Sequence, residues 1–506
     1  MKRLVTALVL VLYCCYVFCG CTTTPAEKPE GTKQDTLTVV FQEEPGNIDP
    51  HEKPGLVNQA LEALVYDSLI TRADDGSYQP CLATSWEIID ELTIRFYLRD
   101  DVYFHNGEKF TSADVLYTIQ RGATSPNIAN AFGNCDGENS ACVDEYTFDL
   151  KLKSPFAPIF AWLATARGGM LNQKAVEEAG DAYARNPVGT GCMIFKEWVS
   201  GDHITLTRNE NYWGDKPVYT TFNARVISDA SNRAIEVETG GADIALHINT
   251  SDIERLESNE NTYALTGPST CLIYMCFDTL YSDTYDNIKV RQALSAALDR
   301  EAIAHAVFGG DYGSAADSIF PMSTTYYVSC DVDKYDPALA EKLLKEANFD
   351  TSKEIVLTVA STSDNLAIAE IAQNMWSAVG LNVKIVPMET AAFKENTYNE
   401  AGDMPFRITS GTFASGDPDE CLTVLKRTDN VMHNNQEWWD LFAEAASVYD
   451  NESRGALYKE IQNTIVDSRV YIPLVYTSAV YAVRDNIEGL ECNPAYLPDF
   501  SAVTFK

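Results

Sequence analysis

The stretch that decides the fold is Asn186 to Pro217, NPVGTGCMIFKEWVSGDHITLTRNENYWGDKP. Pro187-Val188-Gly189-Thr190-Gly191 reads as a turn. Two strand-like runs follow, Cys192 to Val199 and His203 to Arg208, joined by the polar Ser200-Gly201-Asp202. This is a β-hairpin pattern, and Tyr212 and Trp213 close it with two aromatic rings. Nothing in the stretch is catalytic.

Outward from the hairpin the chain alternates between strand and helix patterns. Leu37 to Phe41 reads as a strand, and Gln59 to Ile70 carries Leu61, Leu64, Val65 and Leu69 at helical spacing, ending in LVYDSLI. Pro80 to Arg121, PCLATSWEIIDELTIRFYLRDDVYFHNGEKFTSADVLYTIQR, holds two strands with Trp86, Phe96, Leu98 and Phe104 as core. Its last part is a helix with Thr111 as N-cap and Asp114 as the acid at N3. His105 belongs to a turn with Asn106-Gly107 and is not read as a base. Asp144 to Leu152 and Phe222 to Ile227 are further strands, and Ala230 to Glu238 is a helix leading into ETGGADIA. Leu272 to Phe277, Ile355 to Ala360, Val383 to Val386, Arg407 to Ser410 and Val470 to Val483 add strands. Val290 to Ile303, Asp336 to Asn348, Ala367 to Val379, Glu437 to Tyr449 and Ser453 to Asp467 add helices. Such alternation predicts an α/β fold with a parallel or mixed sheet.

The 506 residues leave room for more than one core. A formal charge of −35 argues against nucleic acid or an anionic membrane surface as a direct partner. The chain opens with an address: Met1-Lys2-Arg3 is positive, and Leu4 to Phe18 is apolar but short for a bilayer span. Phe18-Cys19-Gly20-Cys21 resembles a bacterial lipobox, with Cys19 where Ala or Ser is commoner. Residues 1–20 are therefore read as a signal peptide, Cys21 as the lipidated mature N-terminus, and 21–35 as a flexible tether. Of 13 cysteines, nine fall in the mature body. Cys135 and Cys142 flank a short loop and form a candidate local disulfide; free buried thiols are the default for the rest.

At least six blocks in register resemble the extracellular solute-binding proteins, family 5, which serve ABC importers for peptides, nickel and related solutes. The carrying motifs are the Asn186–Pro217 stretch with its NENYWG, NIDPH, LVYDSLI, the Pro80–Arg121 block, ETGGADIA and VRQALSAALDREAI. The resemblance implies a two-lobed periplasmic-binding-protein type II-like α/β fold with an additional inserted domain. It places lobe I at 36–70, 186–267 and 484–506, the inserted domain at 71–185 and lobe II at 268–483. It implies a monomer that closes on short peptides or a peptide-like solute and presents them to permease subunits and their ATPases. The protein would sit outside the cytoplasm, tied by its N-terminal lipid to the cell membrane.

In peptide-binding relatives the ligand pairs with two backbone segments, which match Gly55 to Gln59 and Gly411 to Asp417 here. The nominated ligand contacts are Asn58, Gln59, Arg121, Arg407, Thr409, Thr412, Phe413, Ser415, Asp417 and Asp419. Thr412 stands where relatives often carry Trp, and Thr409 where oligopeptide binders tend to carry Arg. The acid expected to hold a peptide α-amine is missing at Ala414-Ser415, leaving Asp417 and Asp419 as candidates, with a turn role for Asp417 as the alternative. Arg407 and Arg121 are candidates for a ligand carboxylate, against a surface cation and a helix cap respectively.

No cofactor and no protein-bound metal are expected: Asp419 replaces the His of nickel-binding relatives, and the six histidines show no ligand spacing. The alternative is the same fold holding a nickel chelate, an opine or a short glycan, for which Trp438 and Trp439 would be stacking surfaces. An exported hydrolase is the remote reading. No G-x-S-x-G, HExxH or Ser/His/Asp set appears, so no enzyme is expected.

Overall fold

The Asn186–Pro217 stretch folds as a hairpin, Met193–Val199 antiparallel to His203–Arg208, with Trp198 opposite Ile204 and Gly201 at positive φ in the turn. The computed structural model describes residues 34–506 except 54, 74, 75, 281, 397–403, 433 and 434. The expected signal peptide, Cys21 and almost all of the tether lie outside the described residues.

The hairpin is one edge of an eleven-stranded sheet. Across it the order is Asn382–Met388, Glu354–Ala360, Phe406–Thr412, Thr262–Phe277, Tyr471–Arg484, Ile244–Ala245, Thr36–Phe41, Thr221–Val226, His203–Arg208 and Met193–Val199; Gly313–Ala315 pairs with Tyr471–Arg484 off this path. Parallel neighbours need crossover connections, and helices Ala230–Glu238 and Ser363–Ala378 supply them. Thr262–Phe277 and Tyr471–Arg484 run through the middle, antiparallel, and their register shifts between Pro268 and Leu272. Proline brings no N–H to the ladder there, and the Ser269 hydroxyl donates to Thr477 O at 2.8 Å.

On one side of that irregularity the sheet rests on a core around Leu37, Phe41, Tyr219 and Phe222; on the other the core gathers Phe277, Trp376, Phe406 and Ile408. Two lobes thus share one sheet. A separate four-stranded antiparallel sheet, ordered Ala83–Asp90, Thr93–Leu98, Thr147–Lys151 and Ala141–Asp144, packs on Phe96, Phe110, Phe148 and Trp162 and forms the additional domain.

Three residues of the opening motif meet at one carboxylate. Asp67 of LVYDSLI accepts from Thr190 Oγ1 at 2.8 Å, Tyr212 OH at 2.9 Å and Trp213 Nε1 at 2.9 Å. Burial pushes its carboxyl up, and these three bonds pull the other way. A Cβ on Gly189 would lie 2.0 Å from Val65 O, so the turn can press on the helix end only as glycine. His105 is held in the same joint, with Nε2 2.9 Å from Gly191 O, and burial lowers it to about 4.

Three local expectations change. Val290 to Ile303 is two helices, Ile288–Ala296 and Arg300–Phe308, because Asp299 caps the second by accepting from Ala302 N at 3.0 Å. Gly55 is the N-cap of helix Leu56–Val65, so the backbone of Gly55 to Gln59 is not an extended partner for a ligand strand. Cys135 is buried and Cys142 exposed, and they do not pair; all nine described cysteines are free thiols.

Candidate functional site

A row of cavities follows the chain from Ala414 to Lys426 where it faces segments 71–86 and 129–166. The first, of about 570 Å³, is walled by Gln59 and Ala63 of helix Leu56–Val65, by Thr71 to Ala73, by Ala161 to Ala166, by Ala414 and Ser415, and by the 491–497 loop. The second, of about 410 Å³, is aromatic, with Tyr78, Trp86, Phe160, Tyr326 and Tyr449 around Asp417 and Arg454. A third, of about 330 Å³, holds Asp419, Lys426, Phe156, Trp439 and Phe442. One more, of about 580 Å³, shares the 491–497 loop with the first through Tyr496 and is lined by His247, Cys271, Asp364 and Ser410.

Arg72 stands between the first two cavities. Its Nη2 donates to Thr325 Oγ1 at 2.7 Å and to Gly416 O at 3.4 Å, joining strand Ile70–Arg72 to the turn after Phe406–Thr412. Gly416 has φ +66°, and a Cβ there would sit 2.1 Å from Arg72 Nη1; a side chain would push the arginine out.

Arg454 is placed quite differently. Nη1 and Nη2 donate to Asp417 Oδ2 and Oδ1 at 2.9 and 3.0 Å, Nη2 also donates to Tyr458 OH at 3.0 Å, and both side chains are buried. Desolvation works against the cation, but the Asp417 carboxylate outweighs it and holds the guanidinium above its ordinary range. Asp419 beside them is half-buried, and desolvation followed by repulsion from Asp417 raises it to about 7.

Of the nominated residues, Gln59 and Ser415 meet at the first cavity, while Asp417 and Asp419 line the second and third. Gln59 is 3% exposed; its Nε2 makes a long 3.4 Å contact to Gly55 O, and its Oε1 has no partner. Ser415 Oγ accepts from Asp417 N at 3.2 Å. Asp417 Oδ1 accepts from Asp419 N at 2.9 Å, the turn role, while Arg454 neutralises the carboxylate that was a candidate for an amine.

The remaining nominees line none of these four cavities. Arg121, in the last turn of its helix, is clamped on Asp49 at 2.8 and 2.7 Å. Arg407 is 2% exposed with Nε 3.2 Å from Cys276 Sγ, a buried arginine and not a surface cation. Phe413 is core, its ring beneath Gly411. Thr409 and Thr412 are half-buried opposite Tyr274 and Cys271, and Asn58 Nδ2 donates to Lys53 O at 3.1 Å. Trp438 and Trp439 are both buried, with only Trp439 reaching a cavity wall.

Sequence reading missed Arg72, Arg454 and the 491–497 loop. Arg72 had a faint signal, a lone cation between Leu69-Ile70-Thr71 and the acidic run Asp74-Asp75. Arg454 had none, because its partner lies 37 residues away.

The fold and its row of cavities define a two-lobed solute-binding protein. The description "Bacterial extracellular solute-binding proteins, family 5 Middle" matches residues 77–432, and the chain belongs to that family. The glutathione-binding protein GsiB of Salmonella paratyphi A is 27% identical over 464 residues, covering 88% of this chain and 90% of that one. The ABC transporter substrate-binding protein CtaP of Listeria monocytogenes superposes with a TM-score of 0.83 at 25% identity, over 94% of this chain and 99% of that one. The dipeptide-binding protein of Pseudoalteromonas sp. SM9913, solved with Met-Leu, gives a TM-score of 0.81 at 21% identity over 93% and 100% of the two chains. The family and these neighbours are binding proteins. Among the described residues no helix is long and apolar enough to cross a membrane.

Proposed function

We propose that this protein is a lipid-anchored, extracytoplasmic receptor that captures short peptides or a peptide-like solute and hands them to the permease of an ABC importer. The observation that carries the reading is the first cavity, where Gln59 and Ser415, nominated from two distant segments, face one space of about 570 Å³. That volume suits a small ligand held by few polar groups among apolar walls. The binding of glutathione by GsiB and of Met-Leu by the Pseudoalteromonas protein supports a peptide-like solute. We assign lobe I to 36–70, 186–267 and 484–506, the inserted domain to 71–185 and lobe II to 268–483. The register shift near Pro268 is our candidate hinge, about which the lobes close to bury the solute and present it. Cys21 is the lipidation site in this reading, and no turnover of the ligand is expected.

Native mass spectrometry of the mature protein, before and after unfolding and refolding, tests this. A ladder of peptide masses released on unfolding is expected, since a closed cleft lets cargo go slowly. A single non-peptide mass, or a metal isotope pattern, would replace the peptide by a chelate, opine or glycan.

A further inference from the structure

We propose that the first cavity takes the carboxylate end of its ligand: Arg72 receives the carboxylate and Gln59 Oε1 accepts the neighbouring N–H. A peptide therefore enters with its C-terminal residue there, not with its α-amine. This deepens the peptide-like reading and rests on it.

Two groups on this cavity's wall lack partners. Of the cavity's lining residues, Arg72 and the exposed Glu491 are the charged ones. Among the described residues Arg72 meets no carboxylate; Nη2 bonds two neutral oxygens, and Nη1 and Nε bond nothing. An unneutralised guanidinium with donors to spare matches a carboxylate, which accepts a charge-assisted N–H bond from a free nitrogen. Gln59 Oε1 is the complementary case, an acceptor on a residue 3% exposed, lining the cavity and without a donor. A buried acceptor left unmade is costly, so the site calls for an N–H.

Carboxylate and N–H on one carbon are the chemistry of a peptide's last residue. For the opposite orientation the cavity offers only Glu491, an exposed and solvent-screened acid, for Ala414 and Ser415 carry none and Asp417 is taken by Arg454. Six alanines on the wall, Ala63, Ala73, Ala161, Ala164, Ala414 and Ala495, leave room for the terminal side chain.

Binding of a random tripeptide pool is compared with the same pool N-acetylated and the same pool C-amidated, by thermal shift and native mass spectrometry on wild type, R72Q and R72K. Acetylated peptides should bind like free ones, and amidation should weaken binding by roughly 30-fold or more, as losing one partner of a desolvated ionic contact does. R72Q should erase the difference between acid and amide, and R72K, which keeps the charge, should restore part of it. The orientation is overturned if acetylation removes binding while amidation leaves it, or if R72Q still distinguishes acid from amide. If folded wild type retains no peptide from any pool, the peptide reading itself falls, and this inference with it.

Discussion

Arg72 and Arg454 face the same row of cavities and could hardly be used more differently. Arg454 is enclosed, its two terminal nitrogens committed to Asp417, and it braces the turn that precedes helix Pro418–Met432. Arg72 is half-buried, rests on neutral oxygens, lines the first cavity and has two donor nitrogens without a hydrogen-bond partner among the described residues. A charge beside a cavity is thus no sign of a ligand contact by itself. What matters is whether the protein has already neutralised it.

The largest effect should come from breaking the spent pair. Asp417→Ala leaves a buried guanidinium without its counter-charge, which costs about 3–5 kcal/mol. Chemical denaturation should show that loss with or without peptide. A variant of unchanged stability would mean that Arg454 finds another partner, and the contrast between the two arginines would weaken.

Glu62, on the same helix as Gln59, gives the next effect. It is 3% exposed, and desolvation, then repulsion from Asp49, raise it from 4.5 to about 8 against a lowering pull from Arg167. Between those values the folded state binds the proton that the unfolded state has lost, so stability falls as pH rises through this window. Glu62→Gln should remove that part of the decline, worth a few kcal/mol at most, a limit on the order of the shift itself. Unfolding curves of both forms at several pH values between 4.5 and 8 would check it.

Asp67→Asn comes third. It keeps an oxygen for one donor but removes the charge that serves Thr190, Tyr212 and Trp213, a cost of about 1.5–3 kcal/mol. Thermal melts would read it, and peptide affinity should hold, because Asp67 lines none of the four cavities.

Arg72→Gln should be the mildest, about 1 kcal/mol or less in ligand-free protein, since a half-buried cation on neutral acceptors contributes little. Were it to cost as much as Asp417→Ala, Arg72 would be a structural brace like Arg454.

Local readings succeeded where the cause is local. The hairpin at Met193–Arg208 needs only alternation and a turn, and the helix beginning after Thr111 carries its own cap, with Asp114 Oδ2 accepting from Thr111 N at 3.0 Å. Gln59 and Ser415 were nominated through motifs, and both line the first cavity. Arg407 and Arg121 were nominated for chemistry that arginine can perform, yet one is buried against Cys276 and the other is clamped on Asp49, 72 residues away. Nothing near either residue in the chain announces those partners.

By itself, then, the sequence determined the alternation of elements and the family, because periodicity, caps and glycine turns act over a few residues, whereas the joint on Asp67 gathers partners 123 to 146 residues away. Only tertiary structure decided which charges remain open. It laid Asp417 against Arg454 and brought Arg72 across from Ile70–Arg72 to Gly416, 344 residues on. Whether a cation is spent depends on the burial and counter-charge that distant segments bring to it, and packing sets both.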